Sequence, residues 1–466
     1  MPKTAEKTAI ALRFGSSFWT CFIVGGFRFA ALIVFIPFPA GRRGPVCSYC
    51  NRLRAGPAIV RSGRGEVLVC KRSLSAPLFP FRAERDKLKG RAFSVGTGVK
   101  GLLYQSVLKP VFFRMDPEKA HHLVIDGLHQ ASRVPGMASM LEGLYGVPDL
   151  PELRMELFGL DFRHPVGLAA GLDKNAKSVP GFSSVGFGFM EVGTVTPLAQ
   201  PGNELPRLFR LPSDEALINR MGFNNDGADA MAGRLAALER RKIPVFVNIG
   251  KNKSTPNELA HQDYITCIRK LHEHADLFVV NISSPNTPDL RALQHGDELR
   301  TLLAAVTSEI AAQASRSGAR PKPVLVKIAP DMTGEQLALT AETIAESGVS
   351  GIIATNTTLS RDGLGHANRG EAGGLSGRPL RERSTEVVSE LYRKTGGKLP
   401  IIGSGGIFTA EDAYAKIKAG ASLVEIYTSM IYRGPGIVKD IAAGLVALLR
   451  RDGYGSIEEA IGADHQ

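Results

Sequence analysis

The chain has 466 residues, enough for one large domain with additions or for two domains. Its formal charge of +12 would suit a nucleic-acid binder, but residues 1–98 hold 17 Lys and Arg against 4 Asp and Glu, and the remainder holds 40 against 41. The basicity therefore belongs to an N-terminal arm, and no nucleic-acid partner is expected.

Within that arm, residues 18–38 form an apolar run of 21, long enough to span a bilayer as a helix. Arg28 lies near its middle, where a charge costs roughly 3 kcal/mol on insertion scales, and two glycines and Pro37 weaken a helix further. Basic residues flank the run on both sides and give no orientation. A membrane anchor or uncleaved signal, an organelle presequence and a disordered extension all stay open. The rest of the arm, to residue 97, is Pro, Gly, Ser and Arg without a sustained period, and reads as linker or disorder. Cys21, Cys47, Cys50 and Cys70 lie in the arm and only Cys267 beyond it. The C-x-x-C at 47–50 has zinc spacing, but residues 1–98 offer no His and no second pair, so no metal site is expected.

Residues 98–148 read as a helical module. GVKGLLYQSVLKPVFFRM is apolar on one side, and Asp116-Pro117-Glu118 then supplies an N-cap, a first-position proline and an acidic first turn for EKAHHLVIDGLHQAS. Such a pair either caps the open end of the domain that follows or dips into a membrane surface and admits an apolar ligand. The pattern from Leu153 to Pro165 predicts a hairpin plugging the bottom of that domain.

Residues 149–466 carry eight short apolar runs, starting at Pro165, Phe189, Pro244, Asp276, Pro323, Gly351, Pro400 and Ser422. Each has the composition of a strand buried on both faces, and helical patterns such as GDELRTLLAAVTSEIAAQ and GEQLALTAETIAESG lie between most of them. Eight strands alternating with helices predict an α/β fold, a (β/α)8 barrel whose C-terminal strand ends build the active site. A doubly wound sheet is the rival, but no G-x-G-x-x-G follows any strand. The fourth run breaks into NISSPNTP, residues 281–288, whose rigid, uncharged hydrogen-bonding groups suit a small heterocycle. An ordinary capped strand-to-helix loop would look similar. Lys174 and Lys327, each followed or preceded closely by an acid, could equally form simple pairs with Asp173 and Asp331.

The runs AAGLDKNA, EVGTVTPLAQPGNELPRLFRL, INRMGFNN, NIGKNK, NISSPNTP, VKIAPD, ATNTT, GGLSGRPL, IIGSGGI and EIYTS resemble, in order and spacing, those of the dihydroorotate dehydrogenase family. The likeness runs from about Gly98 to about Gly444 and leaves the arm outside. The DPEKAH helix ahead of the barrel, and Ser284 where soluble members have a cysteine, place the chain beside the membrane-associated, quinone-reducing class 2. The resemblance implies an FMN-dependent oxidation of (S)-dihydroorotate to orotate in pyrimidine biosynthesis, with electrons passed to a membrane quinone. It implies a peripheral enzyme on the cytoplasmic side of the cell membrane, held there by its N-terminal helices, with the mitochondrial inner membrane as the alternative.

By the same resemblance, Ser284 is the general base and Lys174 receives the substrate carboxylate. Asn219, Asn281, Asn286 and Asn356 pair with the substrate's ring amides, with Arg220, Met221, Gly222, Phe223 and Thr357 beside them. Ala170, Gly171, Thr194, Asn248, Asn281, Lys327 and Thr355 hold the flavin ring, Lys327 facing the charge that develops on reduction. Gly377, Gly406, Tyr427 and Thr428 hold its phosphate, and His121 and Arg210 line the quinone tunnel. Other flavin barrels, such as a dihydrouridine synthase, would place cysteine at the Ser284 position and basic charge on the catalytic face.

Overall fold

The computed structural model describes residues 104–238 and 241–466, with the backbone of five short strands ahead of them. The chain divides into two units, Met1–Ala92 and Phe93–Gln466. In the first, Lys7–Phe14, Ser17–Val24 and Val34–Pro37 form an antiparallel sheet, and Val60–Arg61 pairs with Val67–Leu68. The backbone assigned within the 18–38 run is extended, and the rest of that run lies outside the described residues, as do the C-x-x-C pair and most of the linker.

In the second unit all eight predicted strands form. They are β1 (Val166–Leu168), β2 (Phe189–Val195), β3 (Val245–Ile249), β4 (Leu277–Asn281), β5 (Val324–Ile328), β6 (Gly351–Ala354), β7 (Ile401–Ser404) and β8 (Ala421–Ile426). Each pairs in parallel with the next, and β8 returns to β1 through Val424↔Val166 and Ile426↔Leu168, closing a (β/α)8 barrel. Every residue of all eight strands is buried, as strands walled by side chains inside and helices outside must be.

The helices start where the sequence supplies caps. Thr333 and Gln336 form a reciprocal capping box for Gly334–Glu346, and Thr409 and Asp412 do the same for Ala410–Lys418. The predicted hairpin also forms, Met155–Leu157 against Leu160–Phe162. Phe158 and Gly159 both take positive φ in its two-residue turn, the twist that suits a tight hairpin. Phe162 then packs edge-on against Phe189 and Phe246, near the N-terminal ends of β2 and β3, and plugs the barrel's bottom.

Ahead of the barrel lie α1 (Lys109–Arg114), preceded by a wide turn at Tyr104–Leu108, α2 (Pro117–Arg133) and α3 (Met137–Tyr145). Asp116 caps α2 as predicted, its Oδ1 accepting from the Lys119 amide at 2.9 Å, a contact worth about 1 kcal/mol. Glu118 in the same first turn is buried and takes the Arg207 guanidinium at 2.7 Å. Among the described residues no helix is long and apolar enough to cross a membrane.

One element was not foreseen. Leu208–Leu211, Ala216–Asn219 and Gly374–Gly377 form a three-stranded antiparallel sheet, whose residues contribute to one wall of the barrel mouth.

Candidate functional site

The mouth cavity has about 1150 Å³ of space, counting its opening to solvent, which exceeds what one drug-sized ligand fills. Its walls are the C-terminal strand ends, the loops after them and the antiparallel sheet. Every substrate-side and cofactor-side residue expected from the sequence lines it except Arg220 and Asn248. Arg220 points elsewhere: its guanidinium pairs with Glu371 at 2.7 Å and lies over the Phe209 ring. Asn248 sits one layer behind the wall and is fully buried.

One side of the cavity is a web of amides and hydroxyls. Asn281 donates to Thr194 Oγ1 at 2.8 Å and to Asn248 Oδ1 at 3.2 Å, while Asn356 donates to Ser283 Oγ at 3.0 Å. Asn286 donates to Asn219 at 3.2 Å, and its own amide N–H donates to Ser284 Oγ at 3.2 Å. The prolines of the 281–288 loop and this web hold four Asn side chains in fixed poses, each keeping donors or acceptors for a planar ligand. Ser284 is buried on this loop, and Thr287 Oγ1, three residues on, is buried without a partner.

The two lysines differ in kind. Lys174 makes no hydrogen bond or ion pair among the described residues. Burial lowers its ammonium to about 8, with Glu118 pulling it up and Arg207 pushing it down. Asp173 is no partner for it, because both of its oxygens accept backbone amides, from Lys177 at 2.9 Å and Ser178 at 2.6 Å. Lys327 lies between two carboxylates, Glu191 at 2.5 Å and Glu425 at 3.3 Å. Burial alone would lower Lys327, but the two acids together raise it. Asp331 is likewise no partner: Arg291 and Thr358 hold it. Sequence reasoning missed Glu191 and Glu425. Their signal was present, an acid in the middle of an otherwise apolar strand with no room to reach solvent.

At the opposite side the chain comes close to the cavity as bare backbone. A Cβ at Gly406 would meet the Arg381 Cα at 2.2 Å, and one at Gly377 would meet the Glu215 carbonyl at 2.4 Å. Both have positive φ, +74 and +107, so these turns depend on glycine. Beside them Thr428 opens the short helix Thr428–Arg433, its hydroxyl 2.8 Å from Ser376 Oγ. Three polar atoms of cavity-lining residues are buried with no partner: Thr355 Oγ1, Glu425 Oε1 and Ser429 Oγ.

His121 and Arg210 do not line this cavity. Arg210 donates to the Met115 carbonyl at 2.9 Å and stacks on Phe113, tying the turn between α1 and α2 to the antiparallel sheet. Burial, with the Lys174 and His122 charges adding to it, lowers His121 to about 3, so its ring is neutral. Its ring packs edge-on against His122, with centroids 5.5 Å apart. Among the described residues no cluster of His, Cys, Asp or Glu is disposed to hold a metal.

A closed barrel whose strand ends converge on a large, mostly uncharged cavity with one unpaired cation defines a (β/α)8-barrel enzyme acting on small molecules. Residues 152–449 match the family model described as dihydroorotate dehydrogenase. A dihydroorotate dehydrogenase (quinone) of Deinococcus radiodurans is 57% identical over 370 residues, covering 77% of this chain and 100% of the relative. One from Deinococcus deserti is 56% identical over 362 residues, 78% of this chain and 100% of the relative. The crystal structure of the Eimeria tenella DHODH in complex with ferulenol superposes with a TM-score of 0.70 at 43% identity, over 75% of this chain and 96% of that one. The chain belongs to the dihydroorotate dehydrogenase family of oxidoreductases, in its quinone-linked class 2.

Proposed function

We propose that the protein oxidises (S)-dihydroorotate to orotate in pyrimidine biosynthesis, with FMN as its cofactor and a membrane quinone as the final electron acceptor. The observation that carries this is the pairing of an unpartnered ammonium, Lys174, with fixed amides from Asn219, Asn281, Asn286 and Asn356 in one cavity. A ring bearing a carboxylate and alternating N–H and C=O groups is the ligand that uses both.

The residues present also fit FMN. Thr355 Oγ1, Glu425 Oε1 and Ser429 Oγ are buried polar atoms awaiting partners, and Gly377 and Gly406 bring backbone where a phosphate needs close approach. When bound, FMN supplies the acceptor for the hydride lost from C6 of the substrate. Lys327, held rigid by its two acids, offers positive charge to the ring, and Ala170, Gly171, Thr194 and Tyr427 shape the remaining wall. Asn248 works from behind by fixing Thr194 and Asn281.

Ser284 takes the C5 proton. An isolated hydroxyl is a weak base, so the proton must pass on, and the Thr287 hydroxyl, three residues on and without a partner, is the relay. The backbone amide of Asn286 donates to Ser284 Oγ, which fixes the hydroxyl's position, occupies one lone pair and leaves the second to the substrate.

The helical module 98–148 is the path for the quinone, with His121 and Arg210 beside it. Val107, Leu108, Val111, Leu123 and Met140 are exposed on this module, which supports a peripheral seat on a membrane surface. The decisive experiment is the visible spectrum of the purified protein. A yellow protein that dihydroorotate bleaches and a quinone restores is expected; one that is colourless, or that dihydroorotate leaves unbleached, would refute the proposal.

A further inference from the structure

Glu191 on β2, Lys327 on β5 and Glu425 on β8 meet inside the barrel, where their exposures are 0%, 5% and 1%. One cation against two ionised carboxylates would leave an uncompensated negative charge in a dry interior, which costs several kcal/mol. A proton is the remedy, and the hydrogen bonds show which acid keeps it. Glu191 accepts from Lys327 at 2.5 Å, from Asn248 Nδ2 at 2.5 Å and from the Ala170 amide at 3.0 Å. Glu425 accepts only the 3.3 Å hydrogen bond from Lys327, its carboxyl lies against that of Glu191, and its Oε1 is buried with no partner. The ionised form is well served at Glu191 and poorly at Glu425.

We propose that Glu425 holds the exchangeable proton of this cluster, and that the presence or loss of this proton sets the reduction potential of the bound flavin. This rests on the FMN assignment. With the proton in place the cluster is neutral, and the Lys327 charge is available to a ring that becomes more negative on reduction. Without it the cluster carries a net negative charge that opposes reduction, so each two-electron reduction must draw one proton to Glu425. Burial and the Glu191 carboxylate raise Glu425 to about 8. Glu191 and Lys327 are the charged groups that face it, and Lys174 and Tyr427 line the same cavity. Glu425 itself lines the cavity, which gives the proton its exit.

The test compares the holoprotein with Glu425→Gln, which keeps the shape and is permanently neutral. The midpoint potential of the bound flavin is measured from pH 6 to 10, and infrared spectra follow the protonated carboxyl band. The two proteins should share one potential below pH 8. Above it the wild type should fall more steeply by one proton per two electrons, a further tenfold or about 30 mV per pH unit. The carboxyl band should be present in the wild type at pH 7, fade with base and be missing from the variant. Parallel potentials in the two proteins would overturn the proposal. Should the variant fail to bind flavin, a wild-type spectrum with no carboxyl band fading between pH 7 and 10 would overturn it equally. A wild type that carries no flavin would defeat the FMN assignment, while the infrared titration would still report on Glu425.

Discussion

Lys174 permits a quantitative test, because its role follows from having no partner. Burial holds its ammonium at about 8, well below an ordinary lysine. If that ammonium receives the carboxylate of orotate, affinity must follow the protonated fraction. For a group titrating at about 8, orotate should bind about tenfold more weakly at pH 9 than at pH 7, a change of about 1.4 kcal/mol; a normal lysine near 10.4 would show almost none. The assay is a titration of the holoprotein with orotate, read from the flavin absorbance between pH 6.5 and 9.5.

Two substitutions separate this cause from ionisation of the ligand. Lys174→Arg keeps a cation that does not deprotonate, so the break near pH 8 should vanish while orotate's own chemistry is unchanged. Glu118→Gln removes the carboxylate that raises Lys174 and leaves Arg207, which lowers it, so the break should move to lower pH. A wild-type affinity that stays flat to pH 9.5, or the same break in Lys174→Arg, would refute the assignment of Lys174 to the carboxylate.

Ser284→Ala should slow flavin bleaching by dihydroorotate about 10²- to 10⁴-fold at unchanged flavin content, the usual contribution of a positioned base; a near-wild-type rate removes Ser284 from that role. Ser284→Cys should work best toward higher pH, as the thiol ionises near about 8.5. Gly406→Ala must displace the Arg381 backbone and hold alanine at φ +74, so the purified protein should lose flavin; an unchanged flavin-to-protein ratio would show that the loop does not carry the phosphate. A chain beginning at Gly98 should retain quinone reduction, whereas one beginning at Leu150 should lose it first and still pass electrons to a soluble dye. Equal rates with a long-chain quinone, in monodisperse flavin-loaded samples, would reduce the helical module to a structural cap.

The barrel was legible because each strand is a short apolar run that nothing but a two-sided interior explains, and the N-cap at Asp116 because its chemistry is local. The antiparallel sheet at the mouth was not. Gly374–Gly377 reads GLSG, with little strand propensity of its own, and exists as a strand because the Ala216–Asn219 backbone pairs with it. Arg220 lies off the cavity lining for a related reason. Its neighbours in INRMGFNN do reach the cavity, but the salt bridge to Glu371, 151 residues on, turns its side chain away.

The lysines show most clearly where sequence reasoning stops. Both have an acid close by in the chain, and in both cases that acid is already engaged, Asp173 by backbone amides and Asp331 by Arg291 and Thr358. The true partners of Lys327 lie 136 and 98 residues away and meet it only because the barrel closes. That difference divides the work between the two cations. Lys327 is compensated before any ligand arrives, so a carboxylate gains little from it and would add a third carboxyl group to a buried cluster. It suits a role in which charge appears later, during the reaction, against a fixed and preorganised background. Lys174 is uncompensated, and its burial costs free energy until an anion binds, which makes it the group that a carboxylate ligand stabilises most.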